Sequence, residues 1–170
     1  MPDSVWFRCK SCGVCCRMQP PDVDKAEQKR IEEKGLKDFL APADETGIRW
    51  IRRKKDGSCN FLTKTNKCAI YPVRPTACRL EPFTIADYDY EKNRIELELN
   101  FPFSSCCEGT CEEKELEGFQ EIAKAAQVIV KKILDLTARD LGLPARDKRV
   151  RAETRCRILR RKIEAADLRL

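Results

Sequence analysis

Cys9-Lys10-Ser11-Cys12-Gly13-Val14-Cys15-Cys16 puts four cysteines into eight residues, and the reading of that run decides what fold the rest of the chain can make. A C-x2-C step lets two thiolates reach one ion from a tight turn, because the intervening backbone folds beneath the metal. A third cysteine at the same step resembles the start of the bacterial ferredoxin pattern, where three local thiolates hold a cluster and a distant one completes it. Cys16 is then a spare: adjacent side chains diverge, so one of Cys15 and Cys16 can serve another site. Gly13 supplies the backbone freedom such a turn needs. Working outward, Cys59, Cys68 and Cys78 each lie near a turn signal, and Cys106-Cys107-x3-Cys111 precedes a long helical pattern. These ten are the candidate metal ligands. They suffice for two four-thiolate sites with two left over, or for one site with several small buried hydrophobes. Cys156 stands far from all of them, on an apolar helical stripe, and reads as a packing residue.

The composition supports a metal. The chain has 170 residues, 36% of them charged, 11 cysteines and no histidine. Apolar residues other than cysteine make up only about a third of it, a lean core for a domain of this size. The absence of histidine excludes a His general base, a Ser-His-Asp or Cys-His pair, a mixed cysteine–histidine zinc finger and a facial triad. Scattered glycines exclude a Walker A loop and a GxGxxG turn. No apolar run is long enough to span a membrane, and MPDSVWFRC lacks the basic and apolar regions expected of a signal peptide. The expectation is a cytoplasmic protein, where thiols stay reduced. An odd cysteine count also fits a disulfide framework poorly, although a disulfide-rich hyperthermophile protein is the alternative.

Residues 1–112 hold ten of the cysteines and nearly all the proline and turn signals; residues 113–170 are almost free of both. The sequence therefore predicts a small α+β fold. An irregular metal-organised module (1–112), with short hairpins and helices, packs on a C-terminal antiparallel helical pair (113–170). Asp24 with Glu27 is a capping box, and Gly35 ends that helix. Leu36, Phe39 and Leu40 suggest one more helical turn. Ile48 to Arg53 reads as a strand, turning at Asp56-Gly57 into a return strand from Cys59 to Leu62. Pro72, Pro75 and Pro82 mark turns or short helical pieces. Ile95, Leu97, Leu99 and Phe101 alternate with polar residues, a half-buried strand pairing with residues 83–90 across Lys92-Asn93. Thr110 with Glu113 is a second capping box, which would set Cys111 at the first position of a helix, where the dipole favours a thiolate. That helix carries Leu116, Phe119, Ala123, Ala126, Val130, Ile133 and Thr137 on one stripe, widened by Ile122, Ala125, Ile129 and Leu136, and stops at Gly142 and Pro144. The last helix has Ala152, Cys156, Leu159, Ile163, Ala166 and Leu170 on its stripe.

Three segments together carry a resemblance. They are Phe7-x-Cys9-x2-Cys12-Gly13-x-Cys15-Cys16-Arg17, Asp56-Gly57-x-Cys59-x-Phe61-Leu62 and Cys68-x-Ile70-Tyr71-x2-Arg74-Pro75-x2-Cys78-Arg79. In this order they resemble the CxxCxxCC family, or YkgJ-type cysteine cluster family, of zinc- or iron-chelating domains, over residues 5–111. The resemblance implies a metal- or iron–sulfur-binding module of small cytoplasmic proteins. Larger relatives include flagellin lysine methylases, which are associated with an iron–sulfur cluster. The chain departs from the pattern twice: Glu81 stands where an aromatic usually precedes Pro-Phe, and Cys106, Cys107 and Cys111 replace a sparser cysteine.

Arg74 and Arg79 flank Cys78 and are candidates to stabilise the net negative charge of a four-thiolate centre. Structural zinc is usually held by paired C-x2-C knuckles; one local triple with isolated remote cysteines suits a cubane better. The reading is an iron–sulfur protein with one or two [4Fe-4S] clusters, in electron transfer or as a redox accessory factor with a redox or enzyme partner. One alternative is a structural Zn2+ module for protein or RNA/ribosome interaction; another is an accessory subunit of a protein-methylating enzyme. Either way the chain is not read as an enzyme on its own. All of its net charge of +6 lies in residues 144–170, so residues 146–162 offer a polyanion contact, or simply a solvated helix face.

Overall fold

A computed structural model describes residues 6–7, 9–18, 20–43, 47–100, 110–111 and 116–167. Among them the chain order is β1 (Trp6–Phe7), α1 (Val14–Met18), α2 (Lys25–Glu32), a 3-10 turn (Tyr71–Val73), α3 (Thr76–Leu80), β2 (Phe83–Asp89), β3 (Arg94–Leu99), β4 (Thr110–Cys111), α4 (Leu116–Leu141) and α5 (Lys148–Asp167). The fold is small α+β, with a helical pair at the C-terminal end.

Local chemistry explains most of these elements. The Asp24 carboxylate accepts from the Glu27 N–H at 2.7 Å, and Glu27 accepts in return from the Asp24 N–H at 3.1 Å, so the capping box starts α2 as expected. The proline-punctuated stretch forms the 3-10 turn and α3. Strands β2 and β3 form an antiparallel hairpin, Phe83 opposite Leu99 and Asp89 opposite Arg94, with a bulge between Ile85 and Asp87. Asn93 takes the left-handed conformation at its turn. Gly142 ends α4 with φ +62°. Its N–H donates to the Arg139 carbonyl, and the Leu143 N–H reaches back to Ala138, the paired bonds of a Schellman motif.

Five expectations need correction. Residues 36–40 are not a helical turn: Asp38 has positive φ, and Leu40 forms a bridge with Ile51. Ile48 to Arg53 is no continuous strand. Its bridges go to different loops, Trp50 to Asp22, Ile51 to Leu40 and Arg53 to Cys59, so no single ladder can propagate. Thr110 and Cys111 do not open a helix. They pair as β4 with Phe7 and Trp6, and α4 begins at Leu116; the capping partner Glu113 lies outside the described residues. The stripe of α5 is also displaced. Val150, Thr154 and Ile158 are buried, and Cys156 is exposed. Threonine is tolerated on that face because the Thr154 hydroxyl donates to the Val150 carbonyl one turn back, as Thr137 does to Ile133 on α4. On α4, Ile122, Ala125, Ala126, Val130, Ile133 and Thr137 are buried as expected, but Leu136 is exposed.

Two apolar clusters result. The first joins the hairpin to the helical pair through Phe83, Ile85, Tyr88, Ile122, Val130 and Ile158, with Leu80 of α3. The second gathers Ile31, Phe39, Ile51, Phe61 and Ile70 with their neighbours around the loops. Ile133 and Ile158 share the first cluster, and Asp140 near the end of α4 pairs with Arg157 at 2.8 Å, so the two helices run antiparallel. Arg149, Arg155 and Arg160 are likewise engaged by Asp147, Asp87 and Glu153. Much of the basic charge of α5 thus meets acidic groups of the same chain. No helix among the described residues is long and apolar enough to cross a membrane.

Candidate metal centre

The cysteine run adopts its shape because of two left-handed residues, Ser11 at φ +55° and Gly13 at φ +75°. A side chain at Gly13 would have to push its neighbours aside: a Cβ there would stand 2.5 Å from Arg17 Nη1 and 3.3 Å from Leu62 Cδ1. Arg17 locks the loop by donating to the Gly13 carbonyl at 3.1 Å and to Asn66 Oδ1 at 2.6 Å. The Cys59 N–H donates to the Cys16 carbonyl at 2.7 Å, which fastens the second cysteine segment to the first. Cys68 follows from the bridge between Leu62 and Cys68. Cys78 rides on α3, whose start is held by the buried carboxylate of Glu27: Oε1 accepts from the Thr76 N–H at 2.9 Å and from its hydroxyl at 2.5 Å.

These anchors bring seven of the ten candidate ligands, Cys9, Cys12, Cys15, Cys16, Cys59, Cys68 and Cys78, to the wall of a single cavity of about 400 Å³. It lies between the two cores. Cys9 packs on the first cluster, while Cys16, Cys59 and Cys68 pack on the second. All seven are free thiols. Among the described residues no three cysteine, aspartate or glutamate side chains are drawn to the spacing of a single ion's ligands. Of the remaining three candidates, Cys106 and Cys107 lie outside the described residues. Cys111 is placed by its backbone alone, opposite Trp6 of β1, which precedes Cys9 by three residues in the sequence. Cys156 is on α5, away from the cavity.

The electrostatics suit a metal with thiolate ligands. A hydrogen bond with Cys16, burial and the neighbouring charges of Cys16 and Glu81 raise the Cys15 thiol far above its usual range. Burial raises Cys59 and Cys68. Cys78 is raised first by burial and then by Cys15, Cys59 and Cys68, so these four thiols sense one another. Such a group stays protonated unless positive charge enters among it, which a bound metal supplies. Arg74 provides a fixed part. It is 8% exposed, lines the cavity and opposes the rise at Cys15, Cys68 and Cys78. Its guanidinium pairs with Glu121 at 2.9 Å and stacks over the Tyr71 ring at 4.2 Å, yet its Nε is buried without a hydrogen-bond partner. An orphaned cationic donor beside seven thiols fits an anionic metal–thiolate group. Arg79 is placed differently. It donates to the carbonyls of Pro72 and Arg74 and pairs with Glu121 at 3.2 Å, bracing the turn that carries Arg74 rather than lining the cavity.

Two wall residues were not read as site residues from the sequence. Tyr71 lines the cavity with Cys9, and its i, i+3 spacing to Arg74 was the available signal. Glu81 interrupts the otherwise apolar run Leu80-Glu81-Pro82-Phe83, a signal noted only as a departure from pattern. Burial pushes the Glu81 carboxyl up to about 7, against a hydrogen bond from Asn100.

Fold and site together define a small α+β protein with a cysteine-lined cavity. Residues 8–98 match the family model CxxCxxCC, described as "Putative zinc- or iron-chelating domain", and the chain belongs to that family. The cysteines within the matched span are the seven that line the cavity; Cys106, Cys107 and Cys111 fall beyond it. Over 117 residues the chain is 32% identical to "Uncharacterized protein MJ0661" of Methanocaldococcus jannaschii, covering 63% of this chain and 59% of that relative. The chain thus matches less than two thirds of the relative's length. No solved structure matches.

Proposed function

We propose that the chain binds an iron–sulfur cluster of the [4Fe-4S] type and acts in electron transfer or as a redox accessory factor in the reducing cytoplasm. One observation carries this reading. A single local run, Cys9 to Cys16, and three isolated cysteines, Cys59, Cys68 and Cys78, converge on one cavity, the three-local-plus-remote distribution of cubane sites. The cluster would be held by Cys9, Cys12 and one of Cys15 and Cys16, with a remote thiolate from the other three. When bound, it supplies a one-electron couple. The chain's own residues do the rest. Arg74 offsets the negative charge of the thiolates, Tyr71 and Glu121 hold Arg74 in place, and the apolar wall from Ile51, Phe61 and Ile70 limits water.

A zinc reading needs only four of the seven thiols that share the cavity, the number of a structural zinc site. Anaerobic purification followed by visible spectroscopy separates the two. Broad absorption near ~400 nm that dithionite bleaches is expected of a cubane. A colourless protein would favour zinc and a structural role.

A further inference from the structure

The cavity contains an acidic group with no structural explanation. Glu81 follows α3 directly and lies in the cavity wall with the seven thiols. Its neighbours Leu80, Pro82 and Phe83 are buried. Asn100 hydrogen-bonds the carboxyl, and the Asn100 N–H donates to the Pro82 carbonyl at 2.8 Å, which fixes the carboxyl-bearing turn against the end of β3. Oε2, however, is buried without a hydrogen-bond partner among the described residues. A buried carboxylate oxygen left unmatched is destabilising, and a bound ion is one of the few things that account for such an atom in a native structure. Glu81 shares the cavity wall with the seven thiols, and its charge acts on Cys15.

We propose that Glu81 is a metal ligand, its Oε2 supplying an oxygen donor beside the cysteine sulfurs. This rests on the metal-binding reading above and puts a carboxylate oxygen in the place of its remote thiolate, giving a mixed sulfur–oxygen shell. Zinc and iron both accept carboxylate oxygen alongside thiolate. Asn100 then acts as the outer partner that orients the ligating carboxylate.

The test uses the full-length reduced chain and Co2+ alone, titrated anaerobically. Wild type should show cobalt–thiolate charge-transfer and ligand-field bands. X-ray absorption of the same sample should find an oxygen scatterer in the first shell with the sulfurs. Glu81→Gln should weaken Co2+ binding at least about tenfold and shift the ligand-field bands. Glu81→Gln with wild-type affinity and spectrum would overturn the proposal, because glutamine imitates a neutral hydrogen-bonding carboxyl but not an anionic ligand. A sulfur-only shell in wild type overturns it without any variant. In both cases the metal site itself stands; if wild type shows no cobalt–thiolate bands, the metal reading falls and this one with it.

Discussion

Replacing Gly13 with alanine tests whether the left-handed turn of the cysteine run is a structural requirement. Two terms act. A non-glycine residue at φ +75° costs about 1–2 kcal/mol in backbone energy. The new Cβ would also sit 2.5 Å from Arg17 Nη1, driving the guanidinium off the Gly13 carbonyl and Asn66 Oδ1, at about 1 kcal/mol of net hydrogen bonding. The Leu62 methyl at 3.3 Å belongs to a buried side chain and has little room to retreat. The sum is about 2–3 kcal/mol, a fall of about 1 M in the urea midpoint for a domain of this size. Gly57 is the internal control. It has φ +79° with nothing near its Cβ position, so Gly57→Ala carries only the backbone term. Urea unfolding of the two variants, followed by far-UV circular dichroism, should therefore separate them by about 1 kcal/mol. Adding Arg17→Ala to Gly13→Ala should recover part of the loss. Equal midpoints for Gly13→Ala and Gly57→Ala would refute the argument that the cysteine loop is sterically closed around Gly13.

Cys78→Ala and Cys12→Ala should each lose bound metal and lower thermal stability, because bound metal contributes folding free energy, while exposed Cys156→Ala should keep full metal and shift stability by less than about 0.5 kcal/mol; elemental analysis and a melting curve on the three variants decide this. Glu27→Ala removes the acceptor for the Thr76 amide and hydroxyl and a partner of Lys132, so it should cost about 2–4 kcal/mol in chemical denaturation and weaken chelator competition, since Thr76 opens the helix that bears Cys78. On Asp24, burial works upward, but Lys132 and the Glu27 and Ala26 amides hold the carboxyl below its usual range. A depressed carboxyl contributes stability that is present above its unfolded value near 3.9 and is lost as pH falls through the lower folded value. Unfolding curves should therefore weaken with acid in that window, and Lys132→Met should flatten the slope; an unchanged slope would count against the Asp24–Lys132 pair.

The sequence was most readable where one residue type has one physical solution. Asp24 and Glu27 cap a helix, Ile95, Leu97 and Leu99 alternate along β3, and Ile122 to Thr137 recur at helical spacing; all three patterns are in place. It was least readable where a partner is distant or short. The two-residue pairing of Trp6–Phe7 with Thr110–Cys111 leaves no periodic signal, and Thr110 followed by Glu113 imitates a cap. Thr137 and Thr154 are fully buried although polar, because each returns its hydroxyl to its own helix, and this moved the α5 face away from Cys156. In the site, cysteine spacing named ten candidates, of which seven line the cavity. It gave no sign that Arg74 would line the cavity while Arg79 donates to the carbonyls of the turn behind, nor that both would pair with Glu121 of α4, more than forty residues away.

The central claim is that the cysteine cavity holds an iron–sulfur cluster. The most direct measurement is quantitation of iron, acid-labile sulfide and zinc per chain in protein purified without oxygen. The account predicts about four irons and about four sulfides for each cluster bound, with negligible zinc. One zinc per chain without sulfide would contradict it.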